Sequence, residues 1–321
     1  MPSTSELVQA DVVSGTVSDR VLCIDTDELN GDVEDHVVEQ VRTACLETGF
    51  FYIDLTESQR DAIAAALLQM QHFFALPDDD DRKQSVKQGD QRDTGWVPRY
   101  TEPAYQPGTI SNLEAFDFDV NNVTSSHDDD WPELADFRRD LTRCWNEYVN
   151  LAHSVLGVIA RAAGMQASFL QDNCNTHALS NMRLLNYVPD TTQTDRNVGI
   201  AAHTDFECIT LLYQTAAGLE LLDSNGDWLD APVEEGRIIV LLDDMLERWT
   251  NGEFKATGHR VRSTAEQRYS IVMFIAVNGE IDIAPLPQYV TDELPARYLP
   301  ITQERHIDNE VRRAKDNIAG T

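Results

Sequence analysis

The stretch Gly199-Ile200-Ala201-Ala202-His203-Thr204-Asp205-Phe206-Glu207-Cys208-Ile209-Thr210-Leu211-Leu212-Tyr213 decides how the 321-residue chain is read. Taken as one extended strand, it turns successive side chains to opposite faces, so His203 and Asp205 share a face and Thr204 takes the other. Two metal-ligating groups then stand side by side in an otherwise apolar run. His-x-Asp triplets begin at His127, His203 and His306, and roughly one is expected by chance in a chain this rich in Asp. Context selects among them. His127 stands in Ser125-Ser126-His127-Asp128-Asp129-Asp130, a loop composition, and no histidine follows His306. A third ligand would come from a distant strand, and His259, in Thr257-Gly258-His259-Arg260-Val261, is the only histidine between His203 and His306.

Working outward, the neighbouring sequence reads as short strands punctuated by Gly, Asn, Asp and Pro: Met182 to Val188, Cys208 to Tyr213, Leu219 to Leu222, Arg237 to Leu242 and Arg268 to Val277. Upstream the periodicity changes to 3.6. Val33 to Thr48, Ser58 to Phe74 and Leu141 to Ala163 carry apolar residues at helical spacing, the last through Trp145, Tyr148, Val149, Ala152, Val155, Leu156 and Ile159. Gly49 and Pro77 stop the first two helices, and Val21 to Ile24 and Phe50 to Ile53 read as short strands. Helices followed by a run of strands predict a mainly β fold with a helical buttress, a distorted double-stranded β-helix or jelly roll, and a parallel βαβ sheet is excluded by the lack of alternation. The expected division is a mainly helical region at 1–177, the jelly-roll core at 178–280 and a C-terminal extension packing on the core at 281–321.

Two imidazoles and one carboxylate on one face leave open coordination positions, the arrangement suited to non-haem iron(II) oxygenases. A closed structural zinc site would use four ligands, usually including thiolates, and zinc cannot change oxidation state. Nine residues past His259, Arg268-Tyr269-Ser270 again places two polar side chains on one strand face. A guanidinium fork with a hydroxyl beside it suits a carboxylate. Ser263 to Gln267 reads as the turn of a hairpin that would bring this pair close to the metal.

These residues, with Cys45-Leu46-Glu47-Thr48-Gly49-Phe50-Phe51-Tyr52, Phe73-Phe74-Ala75-Leu76-Pro77, Gly218-Leu219-Glu220-Leu221 and Arg248-Trp249-Thr250-Asn251-Gly252, make the chain resemble the isopenicillin N synthase-like branch of the iron(II)/2-oxoglutarate-dependent oxygenases over nearly its whole length. The resemblance implies Fe(II) on His203, Asp205 and His259, O2 as oxidant, and 2-oxoglutarate as cosubstrate held through its far carboxylate by Arg268 and Ser270. It further implies decarboxylation of 2-oxoglutarate to succinate and CO2, coupled to hydroxylation, desaturation or cyclisation of a small-molecule metabolite. No catalytic residue beyond the metal ligands is implied. Asn186-Tyr187-Val188-Pro189 departs from the family pattern, with Val188 where a tyrosine often precedes the proline, so Asn186 or Tyr187 is expected to serve the cosubstrate. Glu207 replaces a small residue beside the metal loop. The loop Gly95 to Phe116 supplies Trp96, Arg99, Tyr100 and Phe116 as candidate substrate contacts. Two alternatives stay open: an oxidase of the namesake type that uses O2 without 2-oxoglutarate, and a non-catalytic ligand-binding relative.

Composition limits partners and location. A formal net charge of -30 argues against nucleic acid or an anionic membrane surface. No apolar stretch reaches the roughly 18 to 20 residues of a membrane span, and the N-terminus lacks a signal-peptide pattern, so a cytoplasmic monomer is expected. Five scattered cysteines without a C-x-x-C pair read as small buried hydrophobes in a reducing compartment. Lysine occurs only at Lys83, Lys87, Lys255 and Lys315, which beside abundant Asp raises adaptation to a salt-rich cytoplasm. A salt series of activity and melting temperature tests it, and no gain toward molar salt would count against it.

Overall fold

A computed structural model of the chain describes residues 12–16, 21–31, 33–89, 93–101, 106, 108–127, 130–189, 197–223 and 225–319. Asp128 and Asp129 of the first His-x-Asp run lie outside the described residues. Three long helices form one layer: α1 (Asp35–Glu47), α2 (Glu57–Phe74) and α5 (Phe137–Ala162). Helix α2 starts at a capping box in which Thr56 and Gln59 satisfy each other's backbone N–H. Helix α1 ends at Gly49, whose φ of +79° and N–H bond to the Ala44 carbonyl make the left-handed stop expected from sequence. Short helices are α3 (Asp81–Gln84), α4 (Val120–Thr124), α6 (Phe169–Asn173) and α7 (Asp244–Trp249), and α8 (Gln303–Ala319) closes the chain. None of the described helices is long and apolar enough to cross a membrane.

The helical layer covers one face of an eight-stranded sheet. From edge to edge this sheet runs β2 (Cys23–Asp25), β3 (Phe50–Asp54), β13 (Arg237–Leu242), β10 (Ile209–Gln214), β15 (Arg268–Ile275), β7 (Asn181–Tyr187), β6 (Leu113–Asp119) and β4 (Gly95–Val97). Facing it is a five-stranded sheet of β1 (Val12–Thr16), β12 (Trp228–Asp230), β11 (Leu219–Leu222), β14 (His259–Val261) and β9 (Ile200–His203). A small parallel pair, β5 (Ile110–Ser111) with β8 (Asn197–Val198), lies apart. From β9 onward the chain passes back and forth between the two large sheets, with only β11 and β12 joined as neighbours in one of them, and the pairs among these strands are antiparallel. This is the expected jelly roll.

Alternation along each strand splits the core in two. Ile238, Val240, Ile271, Met273, Leu184 and Phe116 face the helices and merge with Phe73, Leu141, Trp145 and Leu156. Ile239, Leu241, Val272, Leu185, Tyr187 and Leu113 point between the sheets, against Leu219, Leu221, Ile200 and Val261. All five cysteines are free thiols and all but Cys23 are buried, as expected.

Three expectations are corrected. Gly95 to Phe116 is not one loop, because β4 and the first half of β6 lie in it and pair in register, Trp96 opposite Phe116. Gly199 to Tyr213 is not one strand: β9 ends at His203, and β10 begins at Ile209 in the other sheet. Ser263 to Gln267 is not a hairpin turn, since β14 pairs with β11 and β9 while β15 pairs with β10 and β7. It is a crossing between sheets.

Candidate active site

His203, Asp205 and His259 converge. One ligand atom from each lies within 4.8 Å of the others, and all three residues are buried. Each histidine Nε2 is 3.6 Å from Asp205 Oδ1, and the two imidazole centroids are 4.2 Å apart. The register explains how β9 aims its histidine: His259 pairs with His203 and Val261 with Ile200, three residues against two, so a bulge falls at Ala201 and Ala202. Ile200 and His203 therefore both face the interior despite odd spacing. Gly199 permits the close approach, because a Cβ there would stand 2.7 Å from Val261 Cγ1 and 2.8 Å from the Val261 carbonyl. Asp205 follows in the turn between β9 and β10. The shared face read from strand alternation is thus produced by a bulge and a turn.

The rings are held by their own backbone. His203 Nδ1 lies 2.8 Å from the Ala201 carbonyl, and His259 Nδ1 lies 3.1 Å from the Thr257 carbonyl. A carbonyl can only accept, so the proton sits on Nδ1 and the Nε2 lone pair faces the shared point. Burial and the neighbouring His259 push the His203 pKa down to about 3, which keeps the imidazole in its neutral, ligating form. Thr210 Oγ1 is 2.7 Å from Asp205 Oδ2 and 3.0 Å from Asp243 Oδ2. A hydroxyl has one proton, and burial with the Asp205 and Glu207 charges holds the Asp243 carboxyl well above the usual range. Thr210 bridges the two carboxyl groups, and its contact with Oδ2 orients Asp205. Glu207, whose carboxylate accepts from the Phe206 N–H, is pushed up to about 8 by burial and Asp205. Two imidazoles and a carboxylate amid crowded acids fit a divalent cation with open positions.

Four residues along β10 from Thr210, Gln214 marks a second polar level. Its Oε1 accepts from Arg268 Nη2 at 3.0 Å, and Arg268 Nε donates to the Ala216 carbonyl at 3.2 Å. Arg268 is fully buried, and its guanidinium carbon is 4.5 Å from the Tyr187 ring centroid. Burial lowers its pKa, and Nη1 is buried without a hydrogen-bond partner among the described residues. Ser270, also fully buried, donates to the Tyr213 carbonyl at 2.8 Å. A buried cation held by neutral dipoles, with one donor unspent, fits a ligand carboxylate.

The other candidates separate by face. Tyr187 is opposite Arg268 in register, so it supplies the aromatic side chain that Val188 lacks. Asn186 faces the helices, where its Nδ2 donates to Glu114 Oε1 at 2.9 Å, and it does not share Arg268's face. Trp96 and Phe116 belong to the helix-side core: Trp96 Nε1 donates to Glu114 Oε2 at 2.9 Å, and Phe116 packs edge-on against Phe73 and Phe137. Lys83, 1 % exposed, completes that polar cluster with Nζ 2.9 Å from Glu114 Oε2. As substrate contacts Trp96 and Phe116 are corrected, because strand alternation turns them away from the space between the sheets. Arg99 lies over the Tyr100 ring and its Nε donates to Asn112 Oδ1 at 2.5 Å, while Asn112 Nδ2 donates to the Val188 carbonyl at 3.1 Å. These two residues therefore border the chain next to Tyr187. Thr210, Gln214 and Asp243 were missed from sequence. The available signal was Thr210-x-Leu212-x-Gln214, polar residues at inward positions of an otherwise apolar strand.

Comparison with known proteins agrees with this geometry. Residues 179–277 match the model of the 2OG-Fe(II) oxygenase superfamily, and residues 21–143 that of the non-haem dioxygenase in morphine synthesis N-terminal region. The chain is 30% identical to the 2-oxoglutarate-Fe(II) type oxidoreductase hxnY of Emericella nidulans, over 86% of this chain and 84% of that one. It is 31% identical to the 2-oxoglutarate-dependent dioxygenase traH of Penicillium crustosum, over 82% and 85%. In fold it is similar to the crystal structure of a 2OG-Fe(II) oxygenase family protein from Caulobacter crescentus, with a TM-score of 0.78, 25% identity, and 92% and 99% of the two chains covered. The chain belongs to the 2-oxoglutarate- and iron(II)-dependent oxygenases, in the isopenicillin N synthase-like superfamily, and is a non-haem dioxygenase of that family.

Proposed function

We propose that His203, Asp205 and His259 hold the iron, and that Arg268, flanked by Tyr187 and Ser270, takes the far carboxylate of 2-oxoglutarate, so that this chain oxidises a small-molecule metabolite by hydroxylation, desaturation or cyclisation. The observation that carries the cosubstrate assignment is the buried Arg268 guanidinium with Nη1 unpartnered and its other donors on neutral oxygens, among the described residues. An arginine stays charged in a protein, so this position strongly favours an anionic ligand. When bound, the iron would activate O2, the oxidant, and 2-oxoglutarate would supply two of the four electrons O2 takes as it is converted to succinate and CO2, the other two coming from the substrate.

The chain's own residues bind, orient and exclude water. Backbone carbonyls at Ala201 and Thr257 fix both imidazole tautomers, and Thr210 fixes the Asp205 carboxylate. Leu185, Leu212, Leu221, Val261 and Val272 line the space between the sheets with apolar surface, which strengthens electrostatic contacts made there. Arg99 and Tyr100 are the candidates for substrate contact that remain.

Oxygen uptake by the full chain with Fe(II) and 2-oxoglutarate, screened across a metabolite panel with succinate quantified, tests the reading. One succinate per O2 is expected. Substrate-dependent uptake without succinate would favour the oxidase alternative, and tight iron binding without uptake under any keto acid would favour the binding protein.

A further inference from the structure

The triplet beginning at His306 finds no role in the metal site itself, yet its histidine is only 2 % exposed. His306 lies on α8, and its Nε2 is 2.7 Å from Oδ2 of the buried Asp244, the first residue of α7. The Asp244 N–H in turn donates to the Asp205 carbonyl at 3.2 Å. One helical turn before His306, Gln303 is fully buried and uses both ends of its amide. Its Oε1 accepts from the Val277 N–H at 3.1 Å and its Nε2 donates to the Phe206 carbonyl at 2.8 Å. The His306 ring meets the Phe206 ring edge-on, with centroids 6.1 Å apart. Residues three apart share a helix face, so one face of α8 reaches the backbone of Asp205 and Phe206, directly through Gln303 and through Asp244 from His306.

That backbone lies in the turn between β9 and β10, which belong to different sheets, so no ladder holds it. Its carbonyls are satisfied by α7 and α8 instead: Asp205 by Asp244, Phe206 by Gln303, and Glu207 by the Met245 N–H at 2.9 Å. A metal ligand in a turn is only as well placed as the groups that fix the turn. We propose that Gln303 and His306 are positioning residues for the metal site: the C-terminal helix clasps the turn carrying Asp205, and metal affinity depends on that clasp. The inference rests on the assignment of His203, Asp205 and His259 as metal ligands.

The test is the dissociation constant for Mn(II), measured by electron paramagnetic resonance on the full chain, so the readout does not require turnover. Gln303→Met keeps the volume and removes both hydrogen bonds, His306→Leu removes the bond to Asp244, and His306→Gln restores a donor. The first two are expected to weaken Mn(II) binding by roughly tenfold or more, and His306→Gln to stay within about threefold of the parent. Asn278→Ala serves as control, because Asn278 is also buried and bonds Thr176 and the Asp172 carbonyl without touching the turn. It should lower the melting temperature and leave Mn(II) affinity unchanged. Parental affinity in folded Gln303→Met and His306→Leu overturns the clasp, and if one of them fails to fold, the other decides alone. Asp205→Ala separates the two assignments: if it binds Mn(II) like the parent, the ligand set itself is wrong; if it loses binding while the α8 variants keep it, only the clasp fails.

Discussion

Along β10, Thr210 and Gln214 stand four residues apart and mark two levels of the same interior that are prepared in opposite ways. At the Thr210 level the polar atoms that orient the ligands are engaged: both imidazole Nδ1 atoms on backbone carbonyls, Asp205 Oδ2 on a hydroxyl. At the Gln214 level a buried guanidinium is held by an amide oxygen, a carbonyl and the face of Tyr187, and it keeps one donor unspent. The first level is organised before anything binds. The second is left electrostatically incomplete, and the proposed cosubstrate carboxylate would complete it. In the proposed assignment, geometry selects the metal and charge selects the cosubstrate.

The largest effect tests the first level. His203→Ala or Asp205→Ala is expected to reduce iron-dependent O2 uptake by at least about a thousandfold, since a metal centre supplies several kcal/mol of transition-state stabilisation. Binding of 2-oxoglutarate to the metal-free chain, followed by calorimetry, should change far less. Equal losses of both would mean that the levels are not separate.

Arg268→Ala reverses the pattern. A hydrogen bond to a charged group is worth about 1.5–3 kcal/mol, so KM for 2-oxoglutarate should rise roughly 10- to 100-fold, while Mn(II) affinity stays at the parental value. Arg268→Lys recovers charge without the planar fork and should fall between. An unaltered keto-acid requirement in Arg268→Ala would remove the assigned role.

The two levels also differ in how far they were legible. The triad could be read because histidine is scarce in the chain and His203 and His259 stand in strand-like settings, and three helices and seven strands could be read because their apolar periods are clean. What could not be read were pairings. Leu113–Asp119 escaped notice as a strand because Glu114 interrupts its apolar pattern, and the partner that makes that carboxylate tolerable, Lys83, comes from 31 residues away. Helix α8 is mostly polar, and Gln303, His306 and Ala314 are its buried residues among those whose side chains are described; Ile307, Val311, Ala314 and Ile318 at helical spacing were the signal it offered, and that signal went unread. The bulge at Ala201 and Ala202 leaves no mark in composition. Asn186 was misplaced because neighbouring residues of a strand face opposite ways, and Trp96 and Phe116 because β4 and the start of β6 were read as parts of one loop.

The Lys83 cluster allows the second level to be loosened from behind. Lys83 and Trp96 donate to Glu114, Glu114 accepts from Asn186, and Gln267 donates to Asn186 and, at 3.1 Å, to the Tyr187 carbonyl. Asn186 and Gln267 adjoin Tyr187 and Arg268 in sequence. Lys83→Met leaves Glu114 buried without its cation, a loss of roughly 3–5 kcal/mol that should lower the melting temperature by about 5–15 °C. If the cluster supports the Arg268 level, KM for 2-oxoglutarate rises a few-fold and Mn(II) affinity holds. Loss of stability alone would limit the cluster to packing.

The smallest expected effect reaches the first level from the helical layer. Gly49 sits at φ +79°, and a Cβ there would stand 3.1 Å from Thr257 Oγ1. Thr257 is tied on three sides: its hydroxyl donates to the Gly49 carbonyl at 2.6 Å and accepts from the Leu242 N–H at 3.2 Å, and its own carbonyl holds His259 Nδ1. Gly49→Ala therefore adds left-handed strain of roughly 1–2 kcal/mol and presses on the residue that sets the His259 tautomer. A melting temperature lower by a few degrees is expected, with Mn(II) affinity weakened by no more than about threefold and KM for 2-oxoglutarate at saturating metal unchanged. Should KM move while metal affinity stays fixed, the strain would be travelling through β3 and β13 to the Arg268 level, and the independence of the two levels would be lost.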